Sequence, residues 1–178
     1  MKKLLCLFAA VCFLFCTACT KNTEVEPSDD VAGITEENVK KETVEITLYF
    51  PDRQGLYLVA ENREVEKDGD DLAQTVVTEL MEGPESDELL SLIPEGTRLN
   101  SVTVKDGLCT VDLSAEFTDK ASGGSASDTL CVYSIVNSLT ELEGIDEVMF
   151  LIDGKTVEIY GNFIFDEPFA ADDSINKK

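Results

Sequence analysis

This sequence has no histidine and no tryptophan, and its 14 lysines and arginines face 36 acids. Without histidine, His-assisted serine or cysteine nucleophiles are excluded, as are His-ligated metals. The shortage of cations excludes nucleic acid as a partner, because that binding neutralises phosphates with Lys and Arg. It also argues against electrostatic adhesion to anionic lipid. The uncharged apolar run from Leu4 to Phe15 is far short of the ~20 residues that cross a bilayer. No phosphate-cradling loop is present, since "SGGSAS" follows no strand with a Lys-Ser or Lys-Thr signature. "KDGDD" at 67–71 lacks the alternating ligands and final Glu of an EF-hand, and reads as a turn with a helix cap; a calcium loop is its alternative. Asp112, Glu116, Asp146 and Asp153 can be paired on paper as glycosidase-like carboxylates. Acids make up a fifth of the chain, however, so such pairs are expected on any surface. The sequence therefore reads as non-catalytic, with no cofactor and no metal site.

What is present begins with four cysteines, Cys6, Cys12, Cys16 and Cys19, within the first 19 residues. Lys2 and Lys3 precede the apolar run, and Thr17-Ala18 follow it. This is the pattern of a secretory signal peptide. A cysteine directly after the small residues resembles a bacterial lipoprotein signal, which implies lipid attachment at Cys19 and removal of residues 1–18. Cys16 occupies the place where such signals usually carry Leu. An ordinary cleaved signal, with Cys19 a bystander, is the alternative; zinc-type paired spacing is absent. The expected location is the extracytoplasmic face of the bacterial cytoplasmic membrane, held by acyl chains. The mature chain would lose two of the 14 cations and no acids, leaving 12 against 36 and a net charge of −24. So acidic a surface is expected to stay soluble by self-repulsion, with a docking face for a basic partner as the alternative. Residues 19–43 read as the lipidated cysteine and a flexible acidic tether, and residues 167–178 as a disordered tail.

Folding signals start at Val44. "VEITLYF" alternates apolar and polar residues, the period of a half-buried strand, and "GLYLVAENREVE" repeats it after the turn "PDRQG". In "DLAQTVVTELMEGP" the period lengthens: Leu72, Ala73, Val76, Val77 and Leu80 share one helical face, and Gly83-Pro84 stops it. "LNSVTVK" and "LCTVDLS" form a hairpin at Asp106-Gly107. A second helix follows from about Ser125, with Val132, Ile135, Val136, Leu139 and Leu142 on its apolar side. "EVMFLI" and "KTVEIY" are predicted to turn at Asp153-Gly154. The order β-β-α-β-β-α-β-β predicts a two-layer α+β domain over 44–166, two helices on one face of a mainly antiparallel sheet.

The pieces "LYF" (48–50), "LVAENREV" (58–65), "MEGP" (81–84), "LIPEGTRLNSVTV" (92–104), "VDLSAEF" (111–117) and "DEVMFLIDGKTVEIYG" (146–161) occur in that order. Together they resemble the GerMN domain, the sporulation and spore-germination module of exported bacterial proteins. No second copy of the series occurs in this sequence. The resemblance implies a protein-interaction or assembly role in the cell envelope, with envelope proteins as partners, in a fold similar to ring-building modules that join edge to edge. Its rival is a ligand-sensing module for a wall fragment, lipid or germinant, or a modulator of a sensor kinase. Arg63, Gly83, Pro84, Pro94, Gly96, Thr97, Asp112, Asp153 and Gly154 carry the motifs and read as structural. Arg63 is expected to pair internally with an acid, contact with a partner being the alternative. Cys109 and Cys131 both point at the core, either as a disulfide or as two buried thiols.

Overall fold

Alternation along Thr43–Pro51 (β1) and Leu58–Glu66 (β2) makes an antiparallel hairpin in the computed structural model, which describes residues 42–66, 72–121, 124–161 and 163–178. All of these belong to one unit, Val39–Lys178. Ile46, Leu48 and Phe50 of β1 are buried on one face, and Arg63 and Val65 of β2 share that face. The loop between the strands is closed by Asp52, whose carboxylate accepts the N–H groups of Leu56 and Tyr57.

Helix α1 (Leu72–Glu82) buries Ala73, Val76, Val77 and Leu80, the predicted face. Gly83 ends it with φ +93°, a left-handed conformation that glycine adopts without a Cβ penalty, and its N–H bonds back to Glu79 and Leu80 carbonyls. Strands β3 (Leu99–Lys105) and β4 (Leu108–Leu113) pair antiparallel across the Asp106-Gly107 turn. Both turn residues have positive φ, as a two-residue primed turn requires. A short helix α2 (Glu116–Asp119) and a long one, α3 (Gly124–Thr140), lead to β5 (Glu147–Ile152). Two short strands, β6 (Ile159–Tyr160) and β7 (Phe163–Ile164), pair with each other, and β8 (Phe169–Ala170) follows.

The fold is α+β with mostly antiparallel pairing, as the sequence implies, but three details differ. The β1–β2 hairpin is a sheet of its own, beside a four-stranded sheet in the order β3-β4-β5-β8. Strands β4 and β5 run parallel, because α3 carries the chain back before β5 begins. The Asp153-Gly154 turn forms, but the returning segment makes one bridge, Ile152 to Lys155, and then leaves β5. Its last residues pair with β7 instead.

The tail is also ordered rather than unstructured. Phe169 pairs with Val148 of β5, and a 3-10 turn at Asp173–Ile175 follows, capped by Asp172. Asn137 of α3 holds this segment from both sides, donating to the Asp172 carbonyl (3.1 Å) and accepting from its N–H (3.0 Å). Lys177 N–H then reaches the Leu58 carbonyl (2.7 Å), tying the end of the chain to β2.

One face of the four-stranded sheet carries Cys109, Val111, Leu113, Val148, Phe150 and Ile152 into the core. Helix α3 packs against β5, β1 and α1. Phe117 of α2 joins Phe150, Tyr160, Phe165 and Phe169 in one aromatic cluster, with ring centres such as Phe150–Phe165 5.0 Å apart.

Candidate functional site

Among the motif residues, Arg63 is the most constrained. It stands on the inner face of β2 with its side chain 7% exposed, and its guanidinium lies 5.4 Å from the Phe50 ring centre. Its two arms divide their work. Nε and Nη2 donate to Glu61 Oε1 (3.0 and 2.6 Å), while Nη1 donates to Glu79 Oε2 (2.8 Å). Nη2 also donates to the Gly83 carbonyl (2.5 Å), a group left without a helical partner at the end of α1. Glu61 in turn accepts the N–H groups of Glu85 and Ser86, just past Pro84. "NREV" and "MEGP", 20 residues apart, are thus two halves of one clamp. Burial raises the Glu61 carboxyl, but Arg63 and the two N–H groups outweigh it and hold it below its ordinary value. The expected internal pairing of Arg63 is what the structure contains.

The "IPEGT" corner is built the same way. The Pro94 carbonyl accepts both the N–H (3.1 Å) and hydroxyl (2.7 Å) of buried Thr97, and Gly96 takes φ +87°. Arg98 and fully buried Ser114 exchange bonds: Arg98 N–H to the Ser114 hydroxyl (2.9 Å), Ser114 N–H to the Arg98 carbonyl (2.9 Å). Arg98 also reaches Glu116 (3.2 Å). The Ser114 hydroxyl first, then the N–H of Glu116 itself and the Arg98 guanidinium, hold the Glu116 carboxyl down at about 2. Its folded value lies below the ordinary 4.5, so its contribution to stability is complete above 4.5 and is lost as pH falls toward about 2. Accordingly, urea unfolding of Glu116→Gln and the parent chain should differ at pH 6 and converge as pH approaches about 2.

Asp112, Asp153 and Gly154 meet at the end of β4 and β5. Gly154 N–H donates to Asp112 Oδ1 (3.0 Å), and the Asn100 amide faces both carboxylates (3.3 and 3.4 Å). This exposed corner fixes the Asp153-Gly154 turn; Glu116 and Asp146 lie elsewhere, so the four acids do not converge. Among the described residues no group of three or more His, Cys, Asp or Glu is placed to hold a metal. Cys109 and Cys131 are two buried thiols, not a disulfide. Cys131 bonds to the Leu92 carbonyl (3.5 Å), and burial first, with Asp128 nearby, pushes its thiol up to about 12. At that value the sulfur is an unreactive packing atom. Cys19 and the "KDGDD" stretch lie outside the described residues.

A cavity of about 420 Å³ opens between the 91–95 segment, the start of α3 and β6. Its floor is Leu92, Ile93 and the Tyr160 ring, and Lys120 and Asp128 are on its walls. Sequence reasoning missed it, because Tyr160 is distant from "IPEGT" along the chain and reads as a strand residue only.

The family model described as Germane, sporulation and spore germination, matches residues 47–158. Two solved structures come from the sporulation protein GerM of Bacillus subtilis. Its tandem GerMN domains align at 24% identity and TM-score 0.63, over 83% of this chain and 51% of that one. Its first GerMN domain aligns at 26% identity and TM-score 0.59, over 70% and 96%. A Clostridium perfringens protein provisionally described as a lipoprotein aligns at 26% identity and TM-score 0.53, over 76% and 93%. This chain spans about half of the tandem-domain structure, and no curated protein matches it. The family match covers the β1–β2 hairpin from Thr47 onward, the Arg63 clamp, the "IPEGT" corner and the Asp112 turn together, and the chain belongs to the Germane family of GerMN-type sporulation and spore-germination domains.

Proposed function

We propose that this GerMN-type domain is a non-catalytic interaction module, lipid-anchored through Cys19 on the extracytoplasmic face of the cytoplasmic membrane. In this reading it helps assemble an envelope complex connected with sporulation or germination. The observation that carries the interaction role is the outer edge of β3. Among the described residues this strand ends the order β3-β4-β5-β8 with no strand paired on its far side, and five of its seven residues are exposed. Such an edge offers unpaired backbone groups to an added strand. The lipoprotein description of the Clostridium perfringens neighbour and the Thr17-Ala18-Cys19 sequence support the anchor. Among the described residues no helix is long and apolar enough to cross a membrane.

The test is in-cell crosslinking of the full-length protein with a photoreactive residue at Thr103, compared with one at Glu141 on the helical side. One dominant envelope protein linked from Thr103 and not from Glu141 is the expected result. Abundant bystanders from both positions would overturn the assembly role.

A further inference from the structure

From the cavity beside the "IPEGT" corner we infer a binding site for a small zwitterion bearing a primary ammonium and a carboxylate, such as a free amino acid or a dipeptide. This goes beyond the assembly reading and does not depend on it. The walls carry opposite charge. Lys120 belongs to the corner, since its ammonium donates to the Glu95 carbonyl at 3.0 Å and has two further protons to offer. Asp128 also lines the cavity, with its carboxylate close to Gly161, where an added Cβ would lie 2.5 Å from Oδ2. Asp128 is half-buried and has no ion pair among the described residues, although a part-desolvated carboxylate is stabilised by a cation. Tyr160 is a third polar group on the cavity, and its hydroxyl can accept a hydrogen bond from a ligand there.

In this site a ligand ammonium donates to the Asp128 carboxylate and the Tyr160 oxygen, both of which line the cavity. Its carboxylate takes the free protons of Lys120. The apolar floor of Leu92 and Ile93 accepts a short side chain. The volume, about 420 Å³, lies within the range of small-molecule sites, about 300–1,000 Å³. The shape of the demand is specific, because a capped amine or an amidated carboxylate leaves one wall charge unpaired.

The test is calorimetric titration of the full chain with a panel of free amino acids and glycylglycine, each beside its N-acetyl and C-amide form. At least one free zwitterion should bind with a Kd of about 1 mM or tighter, and either cap should weaken it at least about tenfold. Asp128→Asn should erase the penalty for N-acetylation alone, and Lys120→Met that for amidation alone. Tyr160→Phe, which keeps the ring and so the fold, should weaken the free form about tenfold. No binding by any member of the panel, equal binding of capped and free forms, or unaltered binding by all three variants would each overturn the site.

Discussion

Replacing Arg63 by methionine is expected to lower the unfolding free energy by about 3–5 kcal/mol, the cost of removing one partner from a buried ionic group. The loss is large because four acceptors depend on one guanidinium: Glu61, the Glu79 carboxylate, the Glu79 carbonyl and the Gly83 carbonyl. Methionine fills much of the volume over Phe50 but removes the guanidinium's bonds to all four in a part-buried setting, while Glu61 keeps only the N–H groups of Glu85 and Ser86 and the Glu79 carbonyl only that of Gly83. Lysine should restore only part of the stability, since a point charge cannot reach both β2 and the end of α1 as the planar fork does. Combining Arg63→Met with Glu79→Gln should cost less than the two single changes summed, because they share one interaction. Urea unfolding at neutral pH measures all of these. The sign with pH follows from Glu61, whose folded carboxyl lies below the ordinary 4.5. The deficit of Arg63→Met should therefore shrink as the medium is acidified through and below that value. A deficit under about 0.5 kcal/mol would place Arg63 among ordinary surface positions.

Phe169→Ala is expected to cost about 3 kcal/mol, the low end of the range for truncating a buried phenylalanine. A melting temperature lower by roughly 10 °C would accompany it. The residue is 8% exposed, and its ring meets those of Tyr133, Phe150, Phe163 and Phe165 at 5.6 to 6.2 Å. Losing it opens the aromatic cluster at the point where the end of the chain closes over β5. A residue in an unstructured tail would change stability by less than about 0.5 kcal/mol, so thermal unfolding of this single variant separates the two descriptions of residues 167–178.

That tail also marks where the sequence stopped being informative. "FAADDSINKK" is polar and aperiodic apart from one phenylalanine, and local pattern gives no reason for it to fold. Its order comes from partners on distant elements: Asn137 on α3, Leu58 on β2 and Val148 on β5. The misread of "KTVEIY" has the same origin. Alternation and a strong turn signal said strand, but the edge of β5 was taken by β8, so Ile159 and Tyr160 found their pairing in Phe163 and Ile164.

By itself the sequence determined the local elements, and with them the α+β class. Period-2 runs became β1 to β5, the period-3.6 run became α1, and Asp106-Gly107 and Asp153-Gly154 took the positive φ their positions demand. It also marked Arg63, Gly83, Pro94, Thr97 and Asp112 as residues with a fixed role. Only the tertiary structure decided what those roles are, because each is a contact between segments far apart in the chain. Arg63 closes on the end of α1, and Lys120, Asp128 and Tyr160 come to face one cavity. The same holds for the parallel pairing of β4 and β5. A strand's hydrophobic period is identical in either direction, and only the return path of α3 sets it.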